Sequence, residues 1–150
     1  MYDFSSDMTK AREFLDDGAT CALVKGTTAV RSSEKGIGFL FSLVSEKKHF
    51  DGYSVADKIV GKAAACMLVL LGVKAVYSRV ISRSALCVLQ ESGVSVVYDV
   101  VCPYIINRSG TAPCPMETAV KDAVSPSDAV EKIRSALESL RLGTSSNKTL

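Results

Sequence analysis

Tyr53-Ser54-Val55-Ala56-Asp57-Lys58-Ile59-Val60-Gly61-Lys62-Ala63-Ala64-Ala65 is the stretch that decides the fold. Its first part, Tyr53 to Asp57, is short and bounded by Gly52, which reads as a strand. The chain then runs through Lys58-Ile59-Val60 into a helix led by Gly61 and made of small and apolar residues. The apolar run from Ala63 to Val73 is 11 residues long, between Lys62 and Lys74. It is too short to cross a bilayer and reads as a buried helix with Gly72 as its C′ residue. Val73-Lys74-Ala75-Val76-Tyr77 follows as another strand. A strand, a buried helix and a further strand in succession form a parallel crossover unit.

Reading outward, the upstream sequence opens with a short amphipathic helix, Asp7 to Leu15. Met8, Ala11, Phe14 and Leu15 are at helical spacing, and Gly18 ends it. Cys21-Ala22-Leu23-Val24-Lys25 and Thr28-Ala29-Val30-Arg31-Ser32 read as two arms of a hairpin about the Gly26-Thr27 turn. Ile37, Leu40, Phe41 and Val44 mark a helix from about Gly36 to Lys48. Downstream, Ser82 or Ser84 can cap a helix carrying Ala85, Leu86 and Leu89 and ending at Gly93. Val94 to Tyr98 is the next strand, and Cys102 to Gly110 reads as an extended segment leading into a turn. Pro115 suits the first position of a helix with Cys114 as its cap and Glu117 at the third position, a capping box with sulfur in place of hydroxyl. Ser125-Pro126-Ser127-Asp128 opens a last helix through about Leu142. The expectation is one domain over residues 1–142 with a polar, frayed tail over 143–150. The fold class is α/β, a mixed sheet whose later strands are parallel. Such sheets bind ligands beyond the carboxyl ends of their strands. The loops to watch are therefore Ser32–Gly36, Asp57–Lys62 and Arg79–Ser84.

Composition narrows the function. The chain has 150 residues, 47% hydrophobic and 23% charged, as expected of one globular domain. A net charge of +2, from 18 basic and 16 acidic residues, gives no global pull toward nucleic acid or anionic lipid. Tryptophan is absent and aromatics make up 7%, which argues against a base-stacking platform. Met1 to Asp17 is mixed and acidic and does not read as a signal peptide. The five cysteines, Cys21, Cys66, Cys87, Cys102 and Cys114, form an odd set scattered through apolar segments, expected to be mostly reduced core thiols. The expected setting is cytoplasmic, with no membrane and no nucleic-acid partner; a homo-oligomer is compatible with the sequence.

The segment Asp57 to Ala65 also carries the strongest chemical signal. A helix N terminus bears partial positive charge and unpaired N–H groups, so lysines beside it are locally unfavourable. Lys58 and Lys62 flanking Gly61 therefore suggest an anion that offsets them: either Asp57 alone or a bound phosphate or carboxylate. The alternative is that both lysines point into solvent. It is not a P-loop, because Ala56 stands where a glycine is due and no Ser or Thr follows Lys62. Cys114, at a helix cap with Arg108 near in sequence, reads either as a nucleophilic or redox-sensitive thiol or as a cap residue. His49 lies in a hydrophilic helix end and reads as solvated, and a single histidine cannot build a Ser-His-Asp set. Glu34 brings a carboxylate to one site loop. Tyr104, Asn107 and Arg108 form a polar cluster that is either part of the site or a turn held by side-chain bonds.

Taken together, Ala56 to Ala65, Pro103 to Thr111 and Cys114-Pro115-Met116-Glu117 resemble an uncharacterised prokaryotic family with a cytidine-deaminase-like fold. The resemblance spans roughly Asp7 to Asp122. It implies a three-layer α/β/α domain with a mixed five-stranded sheet of order 2-1-3-4-5, the first two strands being the hairpin. Zinc deaminases place His-x-Glu or Cys-x-Glu, and Pro-Cys-x-x-Cys, at two helix starts. Those positions fall here near Ser33-Glu34-Lys35-Gly36 and Asp57 to Lys62, where no Cys or His stands. A zinc-dependent deaminase is thus not expected, nor any metal or other cofactor. The expected function is binding of a nucleotide-like or other anionic small molecule, with Glu34, Lys58, Gly61, Asn107 and Arg108 as ligand contacts. As a metal-free enzyme, it would use Asp57 as acid, base or orienter, Lys62 to position the anion and Cys114 as nucleophile. The competing reading is a non-catalytic ligand sensor or protein-interaction module.

Overall fold

A computed structural model describes residues 4–107 and 110–148. The elements in chain order are α1 (Phe4–Asp16), β1 (Cys21–Lys25), β2 (Thr28–Ser32), α2 (Gly38–Ser45), β3 (Ser54–Val60), α3 (Lys62–Leu71), β4 (Ala75–Ser82), α4 (Arg83–Glu91), β5 (Ser95–Cys102), α5 (Pro115–Val120) and α6 (Pro126–Lys148). The sheet has five strands in the order β2-β1-β3-β4-β5. β1 is antiparallel to β2 and to β3, while β3, β4 and β5 run parallel. This is the mixed sheet expected from the hairpin and the crossover units.

Strand alternation splits the interior in two. Cys21, Leu23 and Val55 face a large core built from α3 with α2, α4, α5 and α6. Ala22, Val24, Ala56 and Tyr77 face the other way, where Ala11 and Leu15 of α1 cover them. Helices thus flank the sheet on both sides, with α3 at the centre of the larger layer. Seven of its ten residues are buried, which is why its sequence is apolar around the whole circumference.

Boundaries moved where β-branched residues continue past the expected ends. β4 runs on to Ser82 through Val80 and Ile81, and β5 to Cys102 through Val100 and Val101. α2 is shorter than its periodicity suggested, ending before Lys47, which takes a positive φ of 57°. Gly72 closes α3 in the left-handed conformation, φ 83°. Ser82, rather than Ser84, caps α4, its hydroxyl accepting the Ala85 N–H at 3.2 Å. α6 is helical to Lys148, past the expected end near Leu142. Once a helix is nucleated each further residue adds a bond, so Gly143 weakens it without ending it. Among the described residues no helix is long and apolar enough to cross a membrane.

Candidate functional site

A cleft of about 960 Å³ opens at the carboxyl end of β3. Its lining comes from the segment after β2, from the end of β3, from the start of α3 and α5, and from the stretch before α5. It brings together six expected residues: Glu34, Asp57, Lys58, Gly61, Asn107 and Cys114. Lys62 is not among the lining residues, and Arg108 lies outside the described residues. The Arg79–Ser84 stretch contributes nothing, since β4 passes into α4 without a loop. His49 is exposed beyond α2, away from the cleft.

Asp57 stands opposite Cys21 across the antiparallel β1–β3 pair, and both line the cleft. Burial lifts the Asp57 carboxyl to about 7, against the opposing pull of the Ile59 N–H, the Cys21 thiol and the Lys58 N–H. Its Oδ1 accepts the Ile59 N–H at 3.3 Å. The same pairing drives the Cys21 thiol well above the ordinary range, by burial first and then by the facing Asp57 charge. Cys21 is therefore a protonated donor to Asp57, not a nucleophile. Thr20, next to it, anchors the post-β2 segment by donating to the Ser32 carbonyl at 3.0 Å and the Glu34 carbonyl at 2.6 Å.

The α3 N terminus is already filled. Glu117 of α5 accepts the Lys62 N–H through Oε1 at 2.7 Å and the Ala63 N–H through Oε2 at 3.0 Å. Lys62 reaches back, donating from Nζ to the carbonyls of Lys121 at 3.1 Å and Ala123 at 3.3 Å, just past α5. The two helices cap each other. The anion at this helix start is thus the protein's own Glu117, where the sequence suggested Asp57 alone or a bound phosphate or carboxylate. The capping box expected within α5 does not form. Cys114 is at the N-cap position without a side-chain bond, and Glu117 serves α3 instead. A thiol is a weak acceptor, whereas the α3 start offers two N–H groups to one carboxylate. Gly61 permits the approach, since a methyl there would collide with the Glu117 carboxylate.

Asn107 shapes the segment before α5. Its Oδ1 accepts the N–H groups of Thr111 at 3.0 Å and Ala112 at 3.4 Å, and its own N–H donates to the Ala112 carbonyl at 2.8 Å. This is the turn held by side-chain bonds, one of the two readings of that cluster. Lys35 and Lys58 line the cleft, and neither ammonium has a hydrogen-bond or ion-pair partner among the described residues. Sequence reading missed Thr20, Cys21 and Lys35 as site residues and gave Glu117 to the wrong helix. The register Cys21↔Asp57 was the signal for the first pair, available only once β1 is set beside β3.

The zinc that the resemblance implies for catalytic relatives finds no fit here. Cys21 is engaged with Asp57, Glu117 is committed to α3, and among the described residues no three His, Cys, Asp or Glu side chains group to hold a metal ion.

The sheet order and the helical layers define the class as a three-layer α/β/α domain with a mixed five-stranded sheet, and the cleft opens at the end of its third strand. Within it, the chain belongs to the family described as domain of unknown function DUF1893, whose sequence pattern matches residues 10–137. It is similar to the crystal structure of a DUF1893 family protein from Thermotoga maritima, with TM-score 0.79 and 25% identity over 89% of this chain and 92% of that one. The dCMP deaminase of the cyanophage S-TIM5 is more distant. In complex with dCMP and dUMP it gives TM-score 0.42 and 19% identity, over 63% of this chain and 94% of that one. Its apo form gives 0.42 and 18%, over 65% and 95%. No curated protein matches the chain.

Proposed function

We propose that the cleft binds a nucleotide-like small molecule, its ring between the apolar walls and its anionic group at Lys35 and Lys58. The observation that carries this is the joint placement of Asp57 among the lining residues with two lysines that have no partner among the described residues. A ring N–H or amino group would donate to Asp57, and Ile37, Leu40, Ile105 and Met116 supply apolar surface. The anion would not sit on the α3 N terminus, because Glu117 takes the leading N–H groups there. Lys62 is accordingly a structural residue in this reading.

Binding without turnover is the form we favour. The Cys114 thiol has no hydrogen-bonded base among the described residues, and Lys62 and Glu117 are spent on joining two helices. In the enzymatic alternative Asp57 would transfer protons and Cys114 would attack, so Cys114→Ala would stop turnover and leave binding intact.

The test is calorimetry and thermal shift with nucleoside monophosphates, the matching nucleosides and inorganic phosphate. A nucleotide at a hundred times its Kd adds about 2.7 kcal/mol of stability, a rise of roughly 5–10 °C in Tm. Lys58→Met should weaken the nucleotide by about tenfold and the nucleoside hardly at all. No shift with any of the three at millimolar concentration sinks the proposal.

A further inference from the structure

The second edge of the sheet is built differently from the first. β2 is a five-residue strand carrying Arg31, and none of its residues is an exposed large hydrophobic. Shortness and charge are ordinary ways of blunting an edge. β5, at the opposite edge, is an eight-residue strand, Ser95-Val96-Val97-Tyr98-Asp99-Val100-Val101-Cys102, with no lysine, arginine, proline or glycine. Val97 is 54% exposed, Tyr98 40%, Val100 55% and Val101 39%, so both faces of the strand carry exposed apolar side chains. The strip continues inward, because Ile59, Val80 and Val100 lie in one row of the register and Ile59 is 54% exposed. Among the described residues no strand pairs beyond β5. A long, apolar, unprotected edge is a template for another strand.

We propose that the occupant is a second copy of this chain, its β5 antiparallel to the first so that one sheet runs through both molecules. Charge and sequence pattern argue for self-pairing. The strand carries a single charged residue, Asp99, whose Oδ2 accepts the Tyr77 O–H at 2.6 Å from the neighbouring strand. A two-fold axis through Tyr98 sets tyrosine against tyrosine, Val96 against Val100 and Val97 against Asp99 of the other copy. No like charges face each other in that register. Moving the axis one residue to Asp99 would oppose the two carboxylates, so charge excludes that register. The arrangement is isologous, each copy offering the same patch, which closes at a dimer and leaves the charged β2 edges outward. The cleft stays open at the end of β3, so dimerisation stands or falls independently of ligand binding.

Sedimentation velocity on the full chain over a wide concentration range tests it. The expected result is a dimer that Val100→Lys or Val97→Lys weakens by about thirtyfold or more, the loss of one central apolar contact in an interface. Both positions are more than half exposed, so the variants keep their fold, checked by circular dichroism. Val124→Lys, a control at an 89% exposed site outside the sheet, leaves the dimer unchanged. A monomer at every concentration overturns the proposal and leaves a different protein as the strand's partner. A dimer that tolerates both lysines equally overturns it.

Discussion

Glu117→Ala lowers the unfolding free energy by about 2–3 kcal/mol, the expected cost of stranding two partly buried N–H groups that shared a carboxylate. In Tm this is a fall of roughly 5–10 °C. The substitution removes both acceptors at the α3 start and the negative charge that complements its dipole. Glu117→Gln keeps one acceptor oxygen and loses about half as much. Gly61→Ala reaches the same clasp from the other side. Gly61 has φ −99° and ψ −179°, extended backbone that alanine adopts freely, so its cost is only the collision with the carboxylate. Alone it destabilises by about 2 kcal/mol; in the Glu117→Ala background it is close to neutral. Urea unfolding of both single variants and the double variant reads this out. Losses that simply add would mean that the two positions do not meet.

Asp57→Asn, by contrast, stabilises the protein. The folded carboxyl titrates at about 7 and the unfolded one near the model-peptide value of 3.8. Between those values the folded state keeps a proton that the unfolded chain has released. The contribution of this group to stability is therefore full below about pH 4 and lost as pH rises through 7. Above that, the native protein carries an ionised carboxylate in a poorly solvated place. Asparagine has the same shape and no charge, so the variant should gain about 2–4 kcal/mol over the parent at pH 8 and nothing at pH 4. The readout is the difference between the two unfolding free energies across that range. A flat difference would show that Asp57 is as well solvated as a surface carboxylate.

The class of fold was legible because its two signals are local. The Cys21–Ser32 hairpin and the Tyr53–Tyr77 crossover can each be read from their own residues, and the sheet order followed from the family resemblance. The location of the cleft was legible too, since the end of a parallel strand leading into a helix is set by chain order. What failed was the assignment of partners. Lys62 looked like an anion binder because its ammonium stands beside a helix N terminus. Whether it bonds a ligand or the Lys121 and Ala123 carbonyls depends on residues about 60 positions away. Glu117 fitted a local capping box three residues after Cys114, and no feature of that segment shows that two donors from α3 will compete for it. Cys21 looked like one apolar residue in an apolar strand; only its register opposite Asp57 gives it a chemical role.

The five cysteines lie at three depths. Cys87 is exposed, Cys102 and Cys114 are half-covered, and Cys21 and Cys66 are enclosed, all as free thiols. Burial holds Cys66 at about 11, and Cys21 higher than usual, so neither reacts while the chain is folded. An alkylating reagent followed by mass therefore keeps time on the molecule. The first adduct marks the surface, and the last two arrive only when the cleft wall and the central helix come apart.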